Sequence, residues 1–322
     1  MKLKKMMTVG LASLTLLGIT APAAFADKIA IEPIFTYGES LNAAQLEETR
    51  ETLGVAEGTN ELVVAVNELN GLLQDDYPYS QVYSSTYITP ADSDGAVSVE
   101  ILTPETITAI TEAQYKNAAI TAGAVDVDIK VASAVKVDGS GALAGVYKAF
   151  ADSGNTLDAA AVEVAQEELA VTSAVTEENQ ADSGYSDELM NAAIVEMKQD
   201  IQEAKDANNG NISADDIRQI VEDVLKNYNL DNILSQDNIT NIQNLMINFG
   251  DINLTAAQKE QIAAFGEELQ ATGGELFEQA KTAWSNVNQE QLKEDSMGIW
   301  ESIVQFFTNL FGGNDSTTTE TE

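Results

Sequence analysis

Hydrophobic residues change their spacing once along this chain, near Asp152, and the change separates two kinds of structure. Upstream, Leu62-Val63-Val64-Ala65-Val66 is an unbroken apolar run, which predicts a strand buried on both faces. Val125-Asp126-Val127-Asp128-Ile129-Lys130-Val131 alternates strictly and predicts a strand wetted on one face. That strand is expected to continue to Val137, turn at Gly139-Ser140-Gly141 and enter a helix from Ala142 to Phe150. Two further runs, Val82 to Thr89 and Ala96 to Leu102, are rich in β-branched and aromatic residues. The Ala91–Gly95 turn between them predicts a hairpin. Helix starts are legible at Asn42 and Thr111, because each precedes by three residues a glutamine able to reach back to the cap's own N–H. Thr103-Pro104-Glu105 opens another turn.

Downstream of Asp152 the period is helical. Ile217, Ile220, Val221, Val224, Leu225 and Tyr228 form one apolar stripe. Leu234-Ser235 with Ile242 and Leu245 is repeated as Leu254-Thr255 with Ile262 and Phe265, two successive capped amphipathic helices. Two copies are too few for a solenoid, so a short bundle is expected. Trp300, Ile303, Val304, Phe307, Leu310 and Phe311 predict a last aromatic helix, stopped at Gly312-Gly313. The fold class is therefore α+β: a mixed α/β domain over 27–152, a helical region over 153–312 and a disordered acidic tail over 313–322.

The first residues carry a different message. Lys2, Lys4 and Lys5, an apolar stretch from Met6 to Ile19, and Ala24-Phe25-Ala26 match the three regions of an export signal over 1–26. The apolar stretch is short of the roughly 20 residues that span a bilayer. Export with Asp27 as the new first residue is the expectation, to the exterior or wall of a Gram-positive cell.

Composition then removes candidate chemistries. With no histidine and no cysteine, the chain builds no Ser-His-Asp triad, no Cys-His pair, no ordinary zinc site and no disulfide. Lys+Arg 16 against Asp+Glu 52 gives a formal charge of −36, made more negative when the leader's lysines leave. Nucleic acid and anionic membranes are poor partners for such a surface.

Several motifs have bland alternatives that fit as well or better. Val137-Asp138-Gly139-Ser140-Gly141-Ala142-Leu143-Ala144-Gly145 has the glycines of a phosphate cradle, yet Asp138 stands where an anion would arrive and no Lys follows. A tight turn with close packing at Gly145 accounts for it. Asp206, Asn208 and Asp216 are placed like calcium ligands, but the loop is one residue short and lacks the final Glu. A helix connection in which Ser213 caps the next helix is the simpler reading. Lys116, Lys130, Lys136 and Lys148 all lie near hydroxyls, so a Ser-Lys dyad has no one place in the chain, and most such lysines are expected to be solvated. No catalytic residue, cofactor site or metal site is assigned.

The run from Ile110 to Ala118 (Ile-Thr-Glu-Ala-Gln-Tyr-Lys-Asn-Ala), Ala122-Gly123-Ala124, the Val137–Gly145 turn and Lys148-Ala149-Phe150 resemble the YpuA-like family of exported Firmicute proteins of unknown function. Thr36-Tyr37-Gly38 with Leu41, Tyr83-Ser84-Ser85-Thr86 and the Trp-containing end fit the same pattern. The chain departs from it at Ser133-Ala134, where the family carries proline. The resemblance implies export and a shared fold, and brings no activity or catalytic residue with it.

The functional expectation is a non-enzymatic extracellular or wall-associated binding or structural module, with self-association through the Trp300–Phe311 helix as one route to partners. The alternative is a carboxylate- or hydroxyl-based hydrolase of cell-envelope polymers. Calcium-dependent assembly through the Asp206 loop is a third reading.

Overall fold

The computed structural model describes residues 31–74, 78–93, 96–182 and 185–285. The export signal, the Trp300–Phe311 helix and the acidic tail lie outside the described residues.

Both predicted capping boxes form. Asn42 opens α1 (Ala43–Leu53) and accepts from the N–H groups of Ala44 and Gln45, while Gln45 returns a bond to the Asn42 N–H. Thr111 and Gln114 do the same for α3 (Glu112–Ala122). β1 (Ile34–Gly38) precedes α1, and between α1 and α3 lie β2 (Asn60–Val64), a short α2 (Leu69–Leu73), β3 (Ser85–Pro90) and β4 (Val97–Ile101). β5 (Val127–Ala132) and α4 (Ala142–Asp152) complete this part.

The five strands form one sheet in the order β2-β1-β3-β5-β4. β1 runs parallel to β2 and β4 parallel to β5, whereas β3 is antiparallel to both β1 and β5. Three strand expectations change. The hairpin does not form, because β5 inserts between β3 and β4 and pairs with both. The Val127, Ile129 and Val131 side of β5 is needed in the core, and a middle position puts it there. The Leu62–Val66 run is not doubly buried: β2 is an edge strand ending at Val64, with Val63 41% exposed, and Val66–Glu68 turns into a 3-10 helix. The strand from Val125 stops at Ala132, and Val137 returns only as an isolated bridge to Ile107.

α1 covers one face of the sheet, packing Leu53 with Phe35, Tyr87 and Ala132, and Arg50 sits 5.6 Å over the Phe35 ring. The opposite face packs on α4. Gly145 is the point of closest approach: a Cβ there would overlap Thr36 Oγ1 and lie 2.9 Å from Thr86 Oγ1, two hydroxyls that bond each other at 2.6 Å. The close-packing reading of this glycine holds.

The helical part comprises α5 (Ala159–Asn179), α6 (Asp187–Ala207), α7 (Ala214–Asn227), α8 (Gln236–Asp251) and α9 (Ala256–Ser285). Ser235 and Thr255 cap the predicted pair α8 and α9, and the α7 stripe buries Ile217, Val221, Val224, Leu225 and Tyr228. One continuous apolar cluster runs from the strands through α3, α4 and the bundle to Phe265. The seam between the two parts is α3 against α5, the most extensive helix contact among the described residues. The architecture is α+β, with a mixed sheet and a helical majority.

Candidate binding groove

α5 presents two different polar faces, and its sequence period explains both. Glu163, Gln166, Glu167, Ala170 and Ser173 recur at helical spacing and line one wall of a groove of about 590 Å³. Asp138 and Ser140 from the turn before α4, Ala109 and Ile110 from the segment before α3, Gln74 and Tyr79 after α2, and Asn248 of α8 form the rest with Leu169.

The Asp138 rim is fixed by its neighbours. Tyr115 of α3 donates to the Gly139 carbonyl at 2.5 Å, and Asp138 accepts from the Ser140 N–H at 3.0 Å. Gly139 has φ +108°, and a Cβ there would overlap Tyr115 Oη and crowd Ile107. Burial, assisted by the Asp138 charge, pushes the Tyr115 phenol well above its ordinary range, so it stays a donor. On the other wall Asn248 donates to Glu167 at 2.7 Å, tying α8 to α5.

Gln166 is the exception in this well-satisfied lining. It is 7% exposed, and its Oε1 has no hydrogen-bond partner. A buried amide oxygen left unpaired costs about 1–3 kcal/mol, and it belongs to a residue that lines the groove. Every charged residue lining the groove is an acid, and no lysine or arginine lines it among the described residues.

The other face of α5 carries a buried network that the linear sequence did not single out. Lys198 of α6 and Glu168 of α5 are each 1% exposed, and the ammonium donates to Glu168 Oε1 at 2.5 Å, Thr121 Oγ1 at 2.8 Å and Asn117 Oδ1 at 3.3 Å. All three of its protons thus meet oxygen. Thr121 in turn donates to Glu168 at 2.7 Å, and the Asn117 amide donates to Asn191 at 3.2 Å. Burial pulls Lys198 below the ordinary lysine range, opposed by the Glu168 charge. Beside this cluster Asp187 accepts from Thr111, Gln114, Thr176 and Asn191. Burial pushes its carboxyl up against those bonds. The network holds α3, α5 and α6 in register, and so sets the wall that carries Gln166.

The sequence motifs fare differently. Asp206 is paired with Lys259 at 2.8 Å, Asn208 bonds the Asn211 carbonyl, and Ser213 caps α7 on Asp216, so the three do not act as one ligand set. Ser140 N–H is taken by Asp138, which closes the turn to an anion. Two of the four lysines are not simply solvated: Lys116 pairs with Glu268 at 2.5 Å above the Phe265 ring, and Lys148 pairs with Glu68. At Ser133, Thr103 Oγ1 accepts from the backbone N–H and the hydroxyl donates to the Val135 carbonyl.

The signal for the groove was present in the polar residues of α5 at positions 163, 166, 167 and 173, but it looks like an ordinary wet face. The turn before α4, the segments after α2 and before α3, and Asn248 of α8 turn that face into a groove. A family model described as "Protein of unknown function (DUF1002)" matches residues 37–272. The Bacillus subtilis (strain 168) "Uncharacterized protein YpuA" is 25% identical over 317 residues, covering 96% of this chain and 97% of that protein. No solved structure matches the chain.

Proposed function

Because the chain belongs to the DUF1002 family of proteins of unknown function, we propose a role from its own geometry: an exported, non-enzymatic binding module that takes a polar ligand in the α5 groove. The observation that carries this reading is Gln166, a nearly buried amide whose oxygen lacks a partner in the wall of a cavity of about 590 Å³. A volume of several hundred Å³ with a few convergent polar groups suits a small ligand. The leader motif over 1–26 supports export, and a ligand met outside the cell fits that reading.

The hydrolase alternative draws less support. Glycoside cleavage needs one carboxyl with a raised affinity for its proton beside a second, both facing the substrate. Among the described residues burial pushes up two carboxyls, Asp187, engaged by four side chains at the α3–α5–α6 junction, and Asp231, just after α7, and neither lines the groove.

The test is to incubate the secreted chain with purified cell-envelope polymer, then measure retention and the release of soluble reducing ends or amines. Retention without release is expected. Sustained release that tracks protein concentration overturns the non-enzymatic reading, and recovery of the chain only from the cytoplasm overturns export.

A further inference from the structure

We infer that the groove's ligand carries ammonium groups on aliphatic stems, as in a lysine-bearing peptide or a free polyamine. This rests on the reading of the groove as a binding site.

Three features of the lining point the same way. Its charges are all negative: Asp138 on one rim, with Glu163 and Glu167 a helical turn apart on α5. No basic residue of the lining neutralises them, in a chain of formal charge −36, so cations concentrate at the groove and anions are repelled. Gln166 Oε1, nine-tenths buried on the same helix between the two glutamates, accepts a bond and has no donor. An ammonium supplies three N–H donors and no acceptor, which matches an acceptor-rich wall better than a hydroxyl, which brings an acceptor with each donor.

The remaining lining suits the stem. Ile110, Leu169 and Ala170 add apolar surface beside the carboxylates. A methylene chain buries itself on such surface while its charged head reaches oxygen. Asp138 and Glu163 are exposed, so each contributes little by itself; the discrimination comes from the enclosed Gln166 and from the summed charge.

The experiment is an NMR titration of the full secreted chain with tri-lysine, spermine and the neutral trisaccharide of N-acetylglucosamine, following the Ser140, Gln166 and Ser173 amides. Tri-lysine or spermine is expected to shift these signals, with affinity falling steeply as salt rises and screens the groove. A response to tri-lysine alone assigns a peptide, and an equal response to spermine assigns free amines; both sustain the ammonium class. Glu163→Gln should weaken binding about 3-fold and Gln166→Met about 10-fold. The Gln166→Met protein should melt no lower than its parent, since it loses an unpaired acceptor; a structural role for Gln166 would lower the melting temperature. Shifts from the neutral trisaccharide alone, insensitive to salt, overturn the ammonium class and leave the groove as a site. Silence of the three amides toward every probe at millimolar concentration overturns both.

Discussion

At the scale of single residues, the buried Lys198–Glu168 pair carries the largest energetic consequence. The ammonium is fully bonded inside a 1%-exposed site, so removing its counter-charge leaves an uncompensated buried cation. Glu168→Gln should cost about 3–5 kcal/mol. The double change Lys198→Met with Glu168→Leu should recover more than half of that, because an apolar pair of similar volume leaves no stranded charge there. Urea denaturation of the two proteins checks both figures. Gly145 acts by exclusion instead. Gly145→Ala pushes a methyl into Thr36 Oγ1 and should destabilise the protein by about 1–3 kcal/mol, read as a lower urea midpoint. Asp187 sets a pH dependence. Its carboxyl keeps a proton in the folded chain at pH values where the unfolded chain, with an ordinary value of about 3.9, has lost it. The folded state therefore binds more protons in the window between the two values, and the Asp187 contribution to stability declines as pH rises through it. The stability of the parent relative to Asp187→Asn should be greater near pH ~4 than near pH ~7, by the same denaturation assay.

At the scale of elements, helix starts and helix seams differ in how local they are. Asn42→Ala removes a cap at the exposed start of α1 and should cost about 1 kcal/mol. Thr111→Ala should cost more, because Thr111 Oγ1 also donates to Asp187 at 2.8 Å and joins α3 to α6. Comparing the two by urea denaturation separates the cap from the long-range bond. Lysine and glutamine side chains make similar joints further on. Lys205 donates to the carbonyls of Gly250 and Ile252 at the end of α8, and Gln258 of α9 donates to those of Ile120 and Thr121 at the end of α3. These bonds satisfy helix-terminal carbonyls that would otherwise be buried unpaired. The strands show the reverse dependence. Their apolar residues were visible in sequence, but the pairing of β5 between β3 and β4 was not, since period-2 alternation says which side faces inward and nothing about which strand lies alongside.

At the scale of the whole molecule, the core does not divide where the sequence period does. One apolar cluster reaches from Ile31 to Phe265, and the Lys198 network joins α3 of the α/β part to α5 and α6. Unfolding should therefore be a single transition, with far-ultraviolet circular dichroism and near-ultraviolet tyrosine signals changing together. A chain ended at Asp152 strips the cover from α3 and should remain unfolded, where a folded fragment would count against the shared core.

What the sequence determined by itself is whatever depends on near neighbours and residue type. The caps at Asn42, Thr111, Ser213, Ser235 and Thr255, the α7 stripe, the tight turn at Gly139 and the loss of imidazole and thiol chemistry all follow from residues a few positions apart or from counting. Tertiary structure alone decided the strand order, the edge position of β2, the enclosure of Lys198 with Glu168, and the roof over Gln166. Those depend on segments far apart in sequence, such as those of Gln74 and Asn248, meeting with particular faces inward. An acid, a lysine or a glutamine has the same letter in water and in a sealed interior, and only burial separates a solvated charge from one held in a buried network.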